Sequence, residues 1–524
     1  MSTRLLLVLA ALAWTAVPAA AQDAKAMLQA VSTAMGADHV KTVRITGTGI
    51  RAVFGQSYTS EEVQDWDWPR FPITSYTRSL DFDAQFSSED ITFRPATAAE
   101  LGTLPKEFGR LRGGPTVTGE QRLVQIVRGN YAWNVQGADA VPVPAESEAR
   151  QLQLILTPIG FLRAAMGGNP KAVSWTPNGK TLTVISFTAL GKYTVLGEIN
   201  DQNQIETIRT KIANPIYGDM VIETRYTNYR DFGGLKYPTQ LHSHQGDERL
   251  NAGHNSGDVR IANVVVNPAI SLPPVPDNVR TATAPAVRVQ SEKLADGVWF
   301  IGGGSHNSMA VEFADFVTVV EAPLSEERSI AVIDEVHRLM PKKPIRYVVN
   351  THHHYDHSGG LRTYVAEGAT VVTHEANREF YQRVLFYPGQ RTLQPDRLSL
   401  DPLHDNLKVP RFATLAHFEP AGAWTDGKYV ISDGTRTLDV HTVQGLGHAV
   451  AMLIAYLPKE KIVVNADLYS PPPQGASPPA PSPGMVTFAN NLRRLRLDVG
   501  QHVPIHGRVG THEEFAKLLG RSTN

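Results

Sequence analysis

The first half of the chain consists of short runs in which apolar and polar residues alternate, the pattern of half-buried strands. Such runs cover residues 43–49, 123–129, 182–187, 192–199, 205–212, 220–226 and 235–242. Turn residues at 200–203 and 231–234 separate neighbouring runs and predict hairpins. Together with one helix over residues 24–35, this spacing predicts a mostly antiparallel β domain at residues 22–270.

The second half has a different pattern, in which strands alternate with helices. Apolar runs at 298–301, 310–313, 317–320 and 345–350 predict strands, and residues 326–339 have helical periodicity. Between the halves, a proline-rich stretch predicts an extended linker at residues 271–290, which contains Pro273, Pro274, Pro276 and Pro285 and follows Pro268 closely. The predicted fold class is therefore a two-domain arrangement, with a mostly antiparallel β domain followed by an α/β domain at residues 291–524.

The first 21 residues have the features of a secretory signal peptide. Arg4 supplies the positive start, an apolar run covers residues 5–17, and three alanines precede the predicted cleavage between Ala21 and Gln22. A periplasmic or secreted location is therefore expected, with an uncleaved anchor as the alternative. No later stretch approaches the ~20 apolar residues of a spanning helix, so we expect no transmembrane segment in the mature chain.

Charge and cysteine content exclude several classes of partner and site. The chain has 50 Lys and Arg residues against 51 Asp and Glu residues, and its formal net charge is -1. This balance argues against a nucleic-acid partner, which would favour a basic surface. The chain contains no cysteine, which excludes disulfides and thiolate metal ligands.

The clearest chemical pattern directly follows the apolar run at 345–350. In extended backbone, side chains at i and i+2 point the same way, so His352 and His354 can reach one metal ion. Asp356 and His357 follow as the chain turns into a helix, and the glycines at 359–360 leave room for closely packed backbone. Four metal-capable groups within six positions predict a metal site.

Three later residues are further candidate ligands. His448, between a glycine-rich segment and an apolar run, supplies the third imidazole of a site suited to zinc with one open position. Asp467 ends another apolar run, where a buried carboxylate needs a partner or a cation, and it can bridge two ions. His506 also stands at a strand end and can complete a second site. An ordinary structural role is the alternative for each of the three.

These residues resemble the ligand pattern of the metallo-β-lactamase fold superfamily, from about residue 291 to the end. The superfamily's H-x-H-x-D-H motif is matched in this sequence, and its later His, Asp and His follow in the same order. The resemblance implies a four-layer αββα sandwich that holds two zinc ions per chain, with iron or manganese as alternatives. It implies that the first ion is bound by His352, His354 and His448. It implies that the second ion is bound by Asp356, His357 and His506, and that Asp467 bridges the two ions.

The same resemblance implies a hydrolase that acts on a small-molecule substrate. We expect an exported dizinc enzyme that uses a metal-bridging hydroxide to cleave an ester, thioester, lactone or amide bond, with Asp356 as the catalytic residue. The absence of cysteine and the presence of Asp467 resemble glyoxalase-II-like thioesterases and lactonases more than β-lactamases. A β-lactamase and an iron-dependent sulfur dioxygenase are alternatives within the fold. A periplasmic ligand carrier is another, because residues 229–238 resemble lipoprotein-carrier β domains.

The remaining histidines are assigned to structure. His306, in a glycine-rich loop at 302–307, is expected to lie in a turn, with the mouth of the substrate site as the alternative. His374 is expected to be structural. His242, His244 and His254 are expected to be exposed strand and loop residues rather than a metal site.

Overall fold

The computed structural model describes most of the chain, but not every residue. The described residues are 24–60, 68–97, 99–100, 113–114, 117, 119–175, 182–247, 252–387, 391–400, 410–415, 427–476 and 479–520. The predicted signal peptide lies outside them. Among the helices of these residues, none combines the length and apolar character needed to cross a membrane.

The first half forms one large antiparallel sheet, in which 13 strands are described. Their order is β6-β5-β4-β3-β2-β1-β13-β12-β11-β10-β9-β8-β7. The strands are β1 Thr42–Ala52, β2 Arg70–Asp81, β3 Phe86–Phe93, β4 Gln121–Arg128, β5 Tyr131–Gln136, β6 Asp139–Pro142, β7 Lys171–Trp175, β8 Leu182–Ala189, β9 Tyr193–Ile199, β10 Ile205–Asn214, β11 Gly218–Phe232, β12 Leu235–Asp247 and β13 Ala252–Val266. The two predicted hairpins join β9 to β10 and β11 to β12, and β1 pairs with β13.

Three helices pack against this sheet and build an apolar core with it. They are α1 Ala24–Met35, α2 Ser147–Ile155 and α3 Pro158–Gly167. The sequence predicted α1 but not α2 or α3. Helix α3 begins at a proline, which fits the first turn because no amide hydrogen is needed there, and the Thr157 hydroxyl caps it by accepting from the Gly160 amide. The domain is mostly β, as predicted, with these helices added.

Part of the predicted linker packs against the first sheet. It contains the short helix α4 Asp277–Arg280, whose Val279 is buried in a cluster with Phe86 and Trp133. Nearby, Arg128 Nη1 donates to the Pro273 carbonyl at 2.9 Å. These contacts fix the path of the chain into the second half.

The second half contains two further sheets that share an apolar core. In each sheet the strands follow chain order. The first comprises β14 Gln290–Ala295, β15 Val298–Gly302, β16 Ser308–Glu312, β17 Val317–Val320, β18 Ile345–Val349, β19 Thr370–His374 and β20 Arg411–Leu415. The second comprises β21 Lys428–Ser432, β22 Thr437–Thr442, β23 Leu453–Leu457, β24 Ile462–Asn465, β25 Gln501–Pro504 and β26 Gly510–Thr511.

Helices cover the outer faces of both sheets. They are α5 Glu326–Leu339, α6 Tyr355–Ser358, α7 Leu361–Ala366, α8 Glu375–Phe380, α9 Pro483–Arg494 and α10 His512–Leu518. Val349 faces the core between the sheets, whereas its neighbour Val348 packs with α5 and α7 on the opposite face. Phe488 of α9 and Phe515 of α10 cover the other sheet. The four layers confirm the predicted αββα sandwich, which follows the antiparallel β domain along the chain.

Truncation of Phe161 tests the packing of α3 in the first half. Phe161 is fully buried and meets Phe187 at a ring-centroid distance of 5.4 Å. Phe161→Ala is expected to lower the free energy of unfolding by about 3–5 kcal/mol, because the lost ring leaves a cavity. Urea unfolding measures the change, with Val173→Ala as the control because Val173 is 49% exposed. Equal unfolding midpoints for the two variants would contradict this packing.

Candidate metal centre

The H-x-H-x-D-H segment lies where strand β18 ends and helix α6 begins. His352, His354 and His357 are all fully buried there. The segment is tied to the neighbouring sheet by the Leu453 amide, which donates to the Thr351 carbonyl at 2.8 Å. The two glycines that follow leave room for closely packed backbone, as the sequence suggested. A Cβ at Gly359 would lie 2.1 Å from the Leu324 carbonyl oxygen.

One group of four side chains gathers around the imidazoles of His352 and His354. It comprises His352, His354, His448 and Asp467, whose potential ligand atoms all lie within 4.8 Å of one another. Asp467 Oδ2 is 3.3 Å from His352 Nε2 and 3.1 Å from His448 Nε2. We refer to these four residues as the first group.

Three buried ring nitrogens in the first group make no well-directed hydrogen bond to the described residues, although Asp467 Oδ2 lies close to two of them: His352 Nε2, His354 Nδ1 and His448 Nε2. The opposite nitrogens of two of these rings are engaged. His352 Nδ1 lies 3.0 Å from Thr351 Oγ1, and His354 Nε2 lies 2.8 Å from the Ser57 carbonyl oxygen. Buried polar atoms normally have partners, so converging nitrogens of this kind fit a bound cation.

A second group lies beside the first and comprises His306, Asp356, His357 and His506. His357 Nε2 lies 3.3 Å from His506 Nε2 and 3.7 Å from Asp356 Oδ2. His306 Nε2 lies 3.3 Å from the same carboxylate oxygen. The structure thus brings all seven candidate ligands of the sequence into two adjacent groups, and adds His306 to the second.

Asp467 connects the two groups. Its Oδ2 is also 3.0 Å from His357 Nε2, and its Oδ1 is 3.1 Å from His506 Nε2. Asp467 lies two residues after β24, which ends at the buried Asn465, and has a left-handed backbone, with φ at +55°. Aspartate adopts this conformation more readily than most residues, and here it directs the carboxylate between the groups.

The pKa shifts give these residues the charges of a cation site. Burial lowers the pKa of His352 to about 3 and that of His354 well below its usual value, so both rings are neutral. Burial would raise the pKa of Asp356 and of Asp467, but their neighbours, including His357, hold both well below the usual range. Burial opposes a charge on His357, yet Asp467 and Glu321 raise its pKa. A metal ion would displace the proton that His357 holds between these carboxylates.

Glu321 holds residues of the centre in place through its buried carboxylate, a role that the sequence analysis did not predict. It is fully buried after strand β17, and its carboxylate accepts from the Thr351 hydroxyl. Glu321 Oε2 lies 3.3 Å from His357 Nδ1, so the opposite nitrogen of that ring faces the centre. Outer partners of this kind orient histidine ligands. The sequence did contain a signal, namely a charged residue at the end of an apolar strand.

A loop of the first half also reaches the centre. Gln56 Nε2 donates to Asp356 Oδ1 at 2.8 Å, and the Ser57 carbonyl oxygen is the partner of His354 Nε2. The neighbouring backbone is fixed to the second half by the Val450 amide, which donates to the Tyr58 carbonyl at 2.8 Å. These residues carry no metal-binding pattern, so no local signal in the sequence connects them with the centre.

The other histidine assignments have mixed outcomes. The expectation of an ordinary turn at His306 is wrong, because its loop folds over the strand end that carries His506 and brings the two rings to 4.1 Å. His374 is structural, as expected, since its Nδ1 accepts from the Ala376 amide at the start of α8. His244 and His254 are buried rather than exposed.

The comparison with family models agrees with this geometry. Residues 301–499 match the model described as the metallo-beta-lactamase superfamily. A linear primary-alkylsulfatase from Pseudomonas sp. is 34% identical to this chain over 76 residues, which is 14% of this chain and 11% of that protein. The match therefore spans only a small part of this relative.

Solved metallo-beta-lactamases are also similar to part of the chain. One from Pontibacter korlensis is 16% identical and covers 45% of this chain and 100% of its own, with a TM-score of 0.32. One from Pseudomonas aeruginosa, in a mono-zinc form, is 22% identical and covers 45% of this chain and 97% of its own, with a TM-score of 0.31.

Removal of the Gln56 amide tests whether the first half supports the centre. Gln56→Ala is expected to lower the affinity for zinc about 10-fold, because partners that hold ligand side chains contribute about 10–100-fold to metal affinity. Competition with a chromogenic chelator measures the loss. The control is Ser60→Ala, which removes a 2.7 Å hydrogen bond across the same interface to the Ala376 carbonyl. Equal affinities in the two variants would contradict a role for Gln56.

Proposed function

Residues 301–499 belong to the metallo-beta-lactamase superfamily, and from this we propose that the chain is a metal-dependent hydrolase with a two-ion centre. The observation that carries the proposal is the convergence of three buried imidazole nitrogens, none with a well-directed hydrogen bond, beside a carboxylate that also reaches a second group of ligands. Zinc is the expected metal, because the ligand atoms are imidazole nitrogens and carboxylate oxygens.

The proposed ligands of the first ion are His352, His354 and His448, and those of the second include Asp356, His357 and His506, with Asp467 between the ions. The spacing of these atoms supports the assignment. Zinc–ligand bonds of about 2.0–2.1 Å separate the ligand atoms of a tetrahedral ion by about 3.3 Å. Asp467 Oδ2 and the first-group nitrogens His352 Nε2 and His448 Nε2 are separated by 3.3 and 3.1 Å.

Two bound divalent ions would lower the pKa of a bound water to ~7 and would polarise an oxygen of the group that this water attacks. The residues of the chain hold that chemistry in place. Gln56 fixes Asp356 Oδ1, so that Oδ2 faces the second group, and Asp356 stays ionised near neutral pH. Glu321 fixes the ring of His357 from the other side. We propose Asp356 as the residue that orients the attacking water.

The proposed substrates are small molecules with an ester, thioester, lactone or amide bond. The segment similar to an alkylsulfatase favours a second candidate class, the sulfate esters of primary alcohols. Both classes develop negative charge on oxygen as the bond breaks, which a dinuclear cationic centre stabilises. A signal-like start of the chain supports the further proposal that the protein is exported to the periplasm or secreted.

A substrate panel with and without metal tests the hydrolase proposal. The panel contains an acyl ester, an acyl thioester, a lactone, a primary alkyl sulfate and a chromogenic cephalosporin. Hydrolysis of at least one acyl or sulfate ester is expected, with loss after chelation and recovery when zinc is restored. Activity that survives complete chelation would contradict the proposal.

Replacement of the carboxylate tests the role of Asp356. Asp356→Asn is expected to lower kcat by about 10²–10⁴-fold, the range for a group that positions or transfers a proton. Steady-state kinetics on the best substrate of the panel measures the effect. Asp201→Asn is the control, because Asp201 is exposed in the β9–β10 turn. Wild-type kcat in Asp356→Asn would exclude the assigned role.

A further inference from the structure

The second group contains one imidazole more than the family motif supplies. We propose that His306 is a fourth side-chain ligand of the second metal position, together with Asp356, His357 and His506, and that this position therefore binds its ion more tightly than the first. The inference rests on the proposed function, because it concerns the same two-ion centre.

Position is the first argument. The potential ligand atoms of His306, Asp356, His357 and His506 lie within 4.8 Å of one another, and His306 is buried. His306 Nε2 is 3.3 Å from Asp356 Oδ2, which is the separation of about 3.3 Å expected for two ligands of one tetrahedral zinc ion. His306 therefore occupies the place of a ligand rather than that of a pocket wall.

The orientation of the ring is the second argument. In the proposed ligands His352 and His357, Nδ1 meets an outer partner while Nε2 faces the centre. His306 has the same arrangement, since its Nδ1 lies 2.9 Å from Ser305 Oγ. The Ser305 carbonyl oxygen lies 3.1 Å from His506 Nδ1, so one residue orients both rings. Outer partners of this kind fix the tautomer in which Nε2 is free to bind metal.

The third argument is that the loop is held in place. The carbonyl of His306 accepts from the buried guanidinium of Arg328, with Nη2 at 3.0 Å. The Asn307 amide donates to the Ile505 carbonyl at 2.8 Å, and Asn307 Nδ2 donates to the Gly507 carbonyl at 2.7 Å. These bonds join the loop to the two residues that flank His506. The two rings therefore have a fixed separation, as ligands of one ion require.

A difference between the two metal positions follows from this ligand set. The first position has three neutral imidazoles and shares the charge of Asp467. With His306 the second position also has three imidazoles and also shares Asp467, whose Oδ1 is 3.1 Å from His506 Nε2, but it has the carboxylate of Asp356 in addition. More ligands and one more negative charge favour the second position for the first equivalent of metal.

Zinc titration of the metal-free full-length chain tests the inference. Competition with a chelator is expected to resolve two ions in the wild type. In His306→Ala the affinity of the tighter ion is expected to fall by at least about 100-fold, the upper end of the effect of outer partners. His374→Ala is the matched control, because His374 is as buried as His306 but caps helix α8. Its two affinities are expected to match the wild type.

Cobalt substitution of the wild type gives a readout that does not depend on the folding of a variant. Each ligated imidazole contributes one strongly shifted, exchangeable ring proton to the NMR spectrum, so six are expected with His306 as a ligand and five without it. Five protons, or unchanged zinc affinities in His306→Ala and His306→Gln, would overturn this inference and leave the two-ion hydrolase intact. Failure of the wild type to bind divalent ions would overturn both proposals.

Discussion

The centre depends on one carboxylate placed among four imidazole rings. Asp467 lies 3.0–3.3 Å from ring nitrogens of His352, His357, His448 and His506. Removing a carboxylate from water is costly unless cations or hydrogen bonds compensate. Two of the four rings belong to each group, so this single buried carboxylate interacts with both groups. The strand end of β24, the left-handed backbone of Asp467 and the loops around it all serve to hold this carboxylate in position.

The two halves of the chain meet at this centre. Gln56 and Ser57 contact Asp356 and His354, although 300 and 297 residues separate the members of these pairs. Glu321 completes the support from within the sandwich. The first half is therefore more than a neighbouring domain, since it supplies hydrogen bonds to two proposed ligands. This arrangement gives a physical reason for the union of a large antiparallel sheet and a four-layer sandwich in one chain.

The sequence predicted those features that local spacing determines. Alternation identified the antiparallel sheet, and the run from His352 to His357 identified the first ligands, because both patterns depend on neighbouring residues. Helix α3 was not predicted; its Pro158 stands in the first turn after the Thr157 cap. His306 was assigned to a turn and Gln56 was missed, because their importance arises only from contacts across 50 and 300 residues. Such contacts leave no periodic trace.

Native mass spectrometry of the full-length chain, purified without added metal, tests the central claim most directly. We expect two zinc ions per chain, held by the groups that Asp467 joins. The Asp467→Asn chain, measured beside it, should lose metal from both positions because each shares that carboxylate. One iron per chain would contradict the account and point to oxygen chemistry. Two zinc ions retained in Asp467→Asn would show that the two groups do not depend on the carboxylate between them.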